Sequence, residues 1–350
     1  MKKANSARFV AILLGFCPFF LQAQQNGNPV IVLDVVVEEK SGTPLVGLQQ
    51  SDFTLLDNQV PQKILSFRGP AAAADSPAEV ILLLDEVNSA YSGVSQATVQ
   101  VEKFLKQNGE RLALPTSLVF LTDKGLSAAA EAPTTDASAL QAELHGNRAP
   151  LRVIGRTQGY YGATDRVGLS LQALGQMAAM EQARPGRKLL IWVSPGWPLL
   201  SGPRQDLTDK DERSIFHSIV SLSAELREAR VTLYAVDPLG SADTRGLRTD
   251  YWEAFEKPAK KPDQVQIGDL ALQVLAYQSG GLVLNGSNDV AGEIGRSFAD
   301  ARASYQLTFE ALPADGPDDF HAIQAKVDQA KATVRTRAGY YAEPVQASQR

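Results

Sequence analysis

The sequence predicts an α/β fold: a doubly wound, mostly parallel sheet joined to a small β-sandwich formed from the N- and C-terminal segments. Three observations predict it. Val80 to Asp85, VILLLD, is an unbroken apolar run that stops at an acid, as expected of a strand buried on both faces. From there to residue 303, strand-like runs alternate with amphipathic helical stretches at the spacing of βα units. The flanks 28–68 and 304–343 show β-type runs instead, with alternating apolar residues and turn signals. Neither flank can bury a face alone, because small isolated sheets are marginal. One sandwich built from both is the economical solution, and two separate β appendages are the alternative.

The chain opens with Lys2, Lys3 and Arg8, an apolar run from Phe9 to Leu21, and a small-residue cleavage pattern at Leu21-Gln22-Ala23. That is the pattern of a secretory signal peptide over residues 1–23, and the apolar run is too short for a membrane anchor. Bulky Phe16 before Cys17 argues against lipid attachment at that cysteine. The chain is therefore expected to be exported, to periplasm, cell surface or medium, with no transmembrane anchor after cleavage. Cys17 is the only cysteine, so if the leader is removed the mature protein is expected to have no disulfide, thiol nucleophile or Cys-ligated zinc.

Val30 to Glu38 reads as a strand, Ser41-Gly42 as a turn, and Phe53 to Leu56 and Lys63 to Phe67 as short strands around a turn at Asp57-Asn58. Gly69 to Pro77 is a Pro/Ala-rich linker leading to an α/β domain over 78–303. Within that domain, strands are expected at Val80–Asp85, Ser117–Thr122, Lys188–Val193, Val231–Val236 and Gly281–Leu284. Helices are expected at Ser95–Asn108, Asp136–Leu144, Asp165–Glu181, Asp209–Arg230, Ile267–Tyr277 and Asp289–Ala303. The helix at Asp165 turns Val167, Leu171, Leu174 and Met177 inward, and the helix at Asp209 does so with Ile215, Ile219, Leu222 and Leu226. The segment Gly240–Val265 is a long charged loop. Alternation at Tyr305, Leu307 and Phe309 and at Ile323, Ala325 and Val327 marks the tail strands, followed by Thr333–Arg337 and Tyr340-Tyr341.

Composition narrows the function. Of 350 residues, 44% are hydrophobic and 21% charged, enough for a substantial core, and the net charge of −5 gives no footprint for nucleic acid. The Lys257–Lys261 patch is too short to change that. No G-x-S-x-G elbow, P-loop, H-E-x-x-H or dinucleotide glycine motif is present. The histidines His145, His217 and His321 are scattered, and none lies beside a matching nucleophile or metal motif.

VILLLDEVNS, YYGATDRVGLSLQAL and RKLLIWVSPGW resemble successive elements of a von Willebrand factor A domain, a Rossmann-like fold. VVVEEKSGTPLVGLQQSDFTLLDNQVPQKILSF, ASYQLTFEALPADGPDDFHAIQAKV and VRTRAGYYAEP resemble the ends of exported VWFA-related proteins frequent in Acidobacteria. The resemblance covers nearly all of the chain after the leader. It implies a metal-ion-dependent adhesion site, Asp-x-Ser-x-Ser after the first strand, with a Thr in a later loop and an Asp after the fourth strand. Such a site takes Mg²⁺ or another hard divalent cation through oxygen ligands.

Carried over residue by residue, the pattern is incomplete. Asp85, Ser89 and Thr164 match, with Thr164 expected in a Gly162-Ala163-Thr164 loop. Val87 stands at the first Ser position, and Pro195 of Ser194-Pro195-Gly196 stands at the second Asp position. Asn88, Glu86 or Asp165 could compensate, and Trp197 is placed on a binding rim, with a loop-anchoring role as the alternative. Two readings of the site follow: a degenerate one, with Asp85 capping loop amides, and a cation-assisted one that holds Mg²⁺ weakly through water. The function expected is a non-enzymatic module that binds a protein partner. A Mg²⁺-dependent adhesin-like protein and an atypical secreted hydrolase are the alternatives.

Overall fold

The computed structural model describes residues 28–70, 78–128, 132–146, 159–199, 207–243 and 251–344. The proposed signal peptide at 1–23, residues 71–77 of the linker and part of the long loop, 244–250, lie outside the described residues.

In chain order the elements begin with β1 (Val30–Glu39), β2 (Phe53–Asp57), β3 (Val60–Gln62), β4 (Ser66–Arg68), β5 (Glu79–Asp85), α1 (Tyr91–Gln107) and β6 (Arg111–Thr122). They continue with β7 (Gly125–Ala128), β8 (Thr134–Asp136), α2 (Ala137–Gly146), α3 (Gly159–Gln182), β9 (Lys188–Val193), α4 (Asp209–Glu228) and β10 (Val231–Val236). The last are α5 (Leu272–Gln278), β11 (Val283–Leu284), α6 (Val290–Arg302), β12 (Ser304–Glu310), β13 (Asp319–Val327), β14 (Ala332–Arg335) and β15 (Gly339–Ala342).

The central sheet runs β11-β10-β9-β5-β6-β7, with β8 also paired to β6. The pairs from β11 through β6 are parallel, and β7 and β8 are antiparallel to β6. The chain winds outward from β5 through β7, returns to β9 on the other side, and winds outward again. The order reverses between β5 and β9, which makes their carboxyl ends the topological switch point. Period-two alternation sorts the strand residues between two cores. Ile81, Leu83, Leu190, Trp192 and Leu233 face α3, α4 and α5, while Val80, Leu82, Leu84, Ile191 and Tyr234 face α1, α2 and α6. Because β5 and β9 are buried on both faces, their sequences are apolar throughout.

The two chain ends join by hydrogen bonding. β1 and β12 pair antiparallel from Val30↔Glu310 to Val36↔Ser304, within a sheet ordered β14-β1-β12-β4. A second sheet, β15-β13-β2-β3, pairs tail strands with the hairpin at Asn58. Ile31, Leu33 and Val35 of the first sheet and Phe53, Leu55 and Ile323 of the second belong to one apolar cluster.

Polar contacts fasten this β unit to the α/β unit. Arg230 pairs with Asp34 at 2.7 Å, and Arg335 with Asp300 at 2.6 Å, where Tyr234 also donates its hydroxyl at 2.9 Å. Gly280 sits at φ +90°, and a Cβ there would approach Arg337 N to 2.8 Å, so only glycine lets the two backbones meet.

Several expectations are corrected. Lys63–Leu65 is irregular, and the strands lie on either side of it as β3 and β4. The edge strands β7 and β8 were not foreseen, because such short runs carry too few residues to show a period. The helix expected at Ile267–Tyr277 breaks at Ala271, whose ψ of 146° separates a 3₁₀ turn from α5. α3 starts at Gly159, so Gly162, Ala163 and Thr164 lie in a helix and not in a loop. Among the described residues, no helix is long and apolar enough to cross a membrane.

Candidate functional site

β5 pairs Asp85 with Leu121 of β6 and Leu84 with Val193 of β9, so three strands end level with one another at the switch point. The β5–α1 loop turns there because of Asp85. Its Oδ1 accepts the backbone amides of Val87 and Asn88, both at 2.9 Å, the local bonding by which aspartate shapes a turn. Its Oδ2 accepts Asn88 Nδ2 at 2.8 Å and Trp192 Nε1 at 2.9 Å. A carboxylate offers about four lone-pair sites, and each of these four bonds takes one. Asp85 is 2% exposed.

Asn88 carries the network outward. Its Nδ2 also donates to Ser170 Oγ of α3 at 2.8 Å, and Ser170 donates to Arg166 O at 2.8 Å. The β5–α1 loop is thereby fixed to both β9 and α3. Ser89 Oγ and Asn88 Oδ1 are buried and find no hydrogen-bond partner among the described residues. Val87, at the position where the resemblance implies a hydroxyl, is 3% exposed and packs into the core shared with α3 and α4.

Glu86 follows directly, half-buried, its backbone amide donating to Leu121 O at 3.0 Å. Burial, then the charges of Asp85 and Asp123, push its carboxyl up to about 7. Thr164 and Asp165 are exposed in the first turns of α3. Thr164 lies six residues before Ser170, about 9 Å along the helix axis at ~1.5 Å per residue. The α3 hydroxyl that accepts from Asn88 is Ser170.

Beyond β9, Ser194 Oγ accepts Gly196 N at 3.1 Å and tightens the Ser194-Pro195-Gly196 turn. Gly196 has φ +95°, and the carboxamide of Gln273 from α5 fills the space a side chain would need there. The rim position expected for Trp197 is corrected. It is 3% exposed and packs edge-on against Trp192, with centroids 5.3 Å apart, because the turn folds it back over the sheet end.

Sequence reasoning missed Ser170, whose role depends on helix register, and the Trp192 indole, read only as core. It also missed Tyr91, which is 69% exposed at the first position of α1. The histidines lie apart from this edge. His145 sits 3.4 Å from Glu102, His217 is exposed on α4, and His321 is buried against Asp57 and Tyr340. Among the described residues, no three His, Cys, Asp or Glu side chains are grouped to hold a metal ion.

No family model and no curated protein matches the chain. Solved structures with similarity include a von Willebrand factor type A protein from Catenulispora acidiphila, 10% identical, TM-score 0.36, over 91% of this chain and 75% of that one. The manganese-loaded TRAP protein of Plasmodium vivax is 8% identical, TM-score 0.35, over 83% and 99%. Proximal thread matrix protein 1 of the mussel byssus is 12% identical, TM-score 0.36, over 65% of this chain, which spans about half (48%) of that protein's length. At these scores the superpositions carry no weight alone, and the fold assignment rests on strand order and register.

Proposed function

We propose that the chain is an exported, non-enzymatic protein-interaction module of the von Willebrand factor A type, with a degenerate adhesion site. The α/β unit, 78–303, presents the docking edge. The β unit, read as one sandwich of 28–68 and 304–343, supports it from the opposite end of the sheet.

The observation that carries this reading is the state of Asp85. Its lone pairs are engaged by the two loop amides, Asn88 and Trp192. A hard cation would have to displace those donors, leaving buried N–H groups unpaired at about 1–3 kcal/mol each. Val87 and Pro195 supply no replacement ligand. Asn88 Oδ1 and Ser89 Oγ are buried beside Asp85 without partners among the described residues, but two neutral oxygens next to a carboxylate whose lone pairs are taken make a poor set for a hard divalent ion. The loop does fit a rigid edge, with Tyr91, Asp165 and Glu86 offered to a protein partner.

Calorimetric titration with Mg²⁺ or Mn²⁺ tests the metal-free part. No heat at millimolar metal is expected, and stoichiometric binding would establish the Mg²⁺-dependent adhesin-like reading instead. Capture from the native cell envelope in the presence of chelator tests the edge. A partner held by the wild type and lost by Tyr91→Arg/Asp165→Lys supports it, and equal capture by both rejects it. Turnover of an ester, peptide or phosphate substrate, abolished by Asp85→Ala, would replace the module with a hydrolase.

A further inference from the structure

Arg337 stands in the short crossing from β14 of one sheet to β15 of the other. It is 9% exposed, yet among the described residues its guanidinium has no hydrogen-bond or ion-pair partner. A guanidinium carries five N–H donors in a fixed fork and no acceptor. Leaving such a charge buried and unanswered is costly.

Its charged surroundings do not answer it. Arg227 of α4 repels it, and Asp34 of β1 attracts it. Both are already paired: Asp34 accepts Arg230 Nη2 at 2.7 Å, and Arg227 donates to Glu228 at 3.0 Å. These two pairs cancel, so the charge of Arg337 is left over. Burial, and then Arg227, push its guanidinium down to about 10, which still leaves it protonated at neutral pH. The carbonyls at the end of α4 are engaged as well. Arg227 O accepts the amides of Ala229 and Arg230, Ala229 O accepts Lys188 Nζ at 3.2 Å, and Arg230 O accepts Lys188 N at 3.0 Å.

The position is built firmly. On one side of Arg337, Thr336 Oγ1 donates to Asp34 O at 2.8 Å, and on the other Ala338 N donates to Gln278 O at 2.9 Å. Arg230 Nε is also buried without a partner among the described residues. Glu228 is 47% exposed, and an ion pair so close to water contributes little, so Arg227 can turn to another anion at small cost.

We propose that Arg337, with Arg227, holds one small oxyanion, a carboxylate or phosphate group, where the tail of the β unit meets α4. Two acceptor oxygens match the guanidinium fork, and one negative charge cancels the surplus. Salt screens a buried pair of this kind only weakly. Arg230 and Lys188 mark this as the amino-terminal end of β10 and β9, so the site lies at the opposite end of the central sheet from Asp85. A bound anion there ties the β14–β15 crossing to α4 and stabilises the contact between the two units.

Melting curves of the full-length protein in chloride, acetate and inorganic phosphate at equal ionic strength test this. A saturable rise in melting temperature with acetate or with phosphate is expected, because a ligand that binds only the folded state stabilises it. Whichever of the two acts identifies the group recognised. Saturation separates binding from the general salting effect of phosphate, which does not saturate at a site. The rise should vanish in Arg337→Gln. In Arg227→Gln, which leaves Arg337 in place and serves also if Arg337→Gln fails to fold, the half-saturating concentration should rise several-fold. Wild-type curves that superimpose in all three salts, or a rise that persists undiminished in either variant, overturn the proposal.

Discussion

Trp192 donates its indole N–H to Asp85 across the switch point at 2.9 Å, joining the ends of β9 and β5. A tryptophan whose ring belongs to the core thus supplies one of the four donors to an acid at the edge. Trp192→Phe keeps the ring packing and removes one bond to a charged acceptor, an expected loss of about 1.5–3 kcal/mol. Asp85→Ala strands all four donors and should cost more than Trp192→Phe in urea unfolding. A cost for Asp85→Ala below ~1 kcal/mol would contradict this account of the loop.

Ligands that bind only the folded state raise the unfolding temperature. With Asp85 saturated, melting curves with millimolar Mg²⁺ and with chelator should superimpose. A reproducible upward shift with Mg²⁺ would show that the ion displaces the loop amides.

Glu86 and Asp269 give the stability a pH slope. Burial leads in both, and it pushes Glu86 up to about 7 and Asp269 to about 6, above their ordinary values of 4.5 and 3.8. The folded state then binds protons more tightly than the unfolded one, so stability falls as pH rises through these windows. Glu86→Gln should flatten the fall between 4.5 and about 7, and Asp269→Asn the fall between 3.8 and about 6. Denaturation midpoints measured across pH read both effects, and a midpoint that rises over this range in the wild type would reverse the sign.

Asp300 is the hub between the two units, with Arg335 at 2.6 Å and the Tyr234 hydroxyl at 2.9 Å on the same oxygen. Asp300→Ala removes the nearer of the two carboxylates beside the buried Arg335 guanidinium, leaving Glu38 at 4.0 Å and the Gly280 carbonyl, an expected cost of up to about 3 kcal/mol. Calorimetry should show the β unit loosening before the α/β unit. A single unshifted transition would mean that the junction contributes little.

In the β unit, Asp57 is fully buried and accepts the Tyr340 hydroxyl at 2.6 Å, with His321 Nδ1 at 3.1 Å from its other oxygen. Tyr340→Phe should cost about 0.5–3 kcal/mol. Chemical denaturation followed by near-ultraviolet dichroism would report it, and an unchanged midpoint would place Tyr340 outside the support of that sheet.

The fold was legible wherever one physical rule dominates. Doubly buried strands announce themselves as continuous apolar runs, and VILLLD and KLLIWV are such runs. α4 shows its inner face through Ile219, Leu222 and Leu226. The site was only half legible. That Asp85 ends a strand is visible in sequence, but its partners are not. Trp192 comes from 107 residues away, and Asn88 reaches Ser170 across 82 residues, so both choices are made by register and helix rotation. The extension of α3 back to Gly159 was hidden by two glycines, Gly159 and Gly162, which ordinarily weaken a helical reading. The buried Asp57–His321 contact spans 264 residues and was invisible for the same reason.

The union of β1 with β12 carries a consequence for biogenesis. β1 leaves the ribosome first, yet its partner emerges only after about 270 further residues, roughly 15–55 s later at ~5–20 residues per second. Throughout that interval Ile31, Leu33 and Val35 form a sticky, unpaired ribbon. The α/β unit, rich in contacts between neighbouring elements, can acquire its shape meanwhile, and the β unit closes last. A nascent chain that stalls before Ser304 is therefore exposed to aggregation through its first strand, even when the central sheet is already complete.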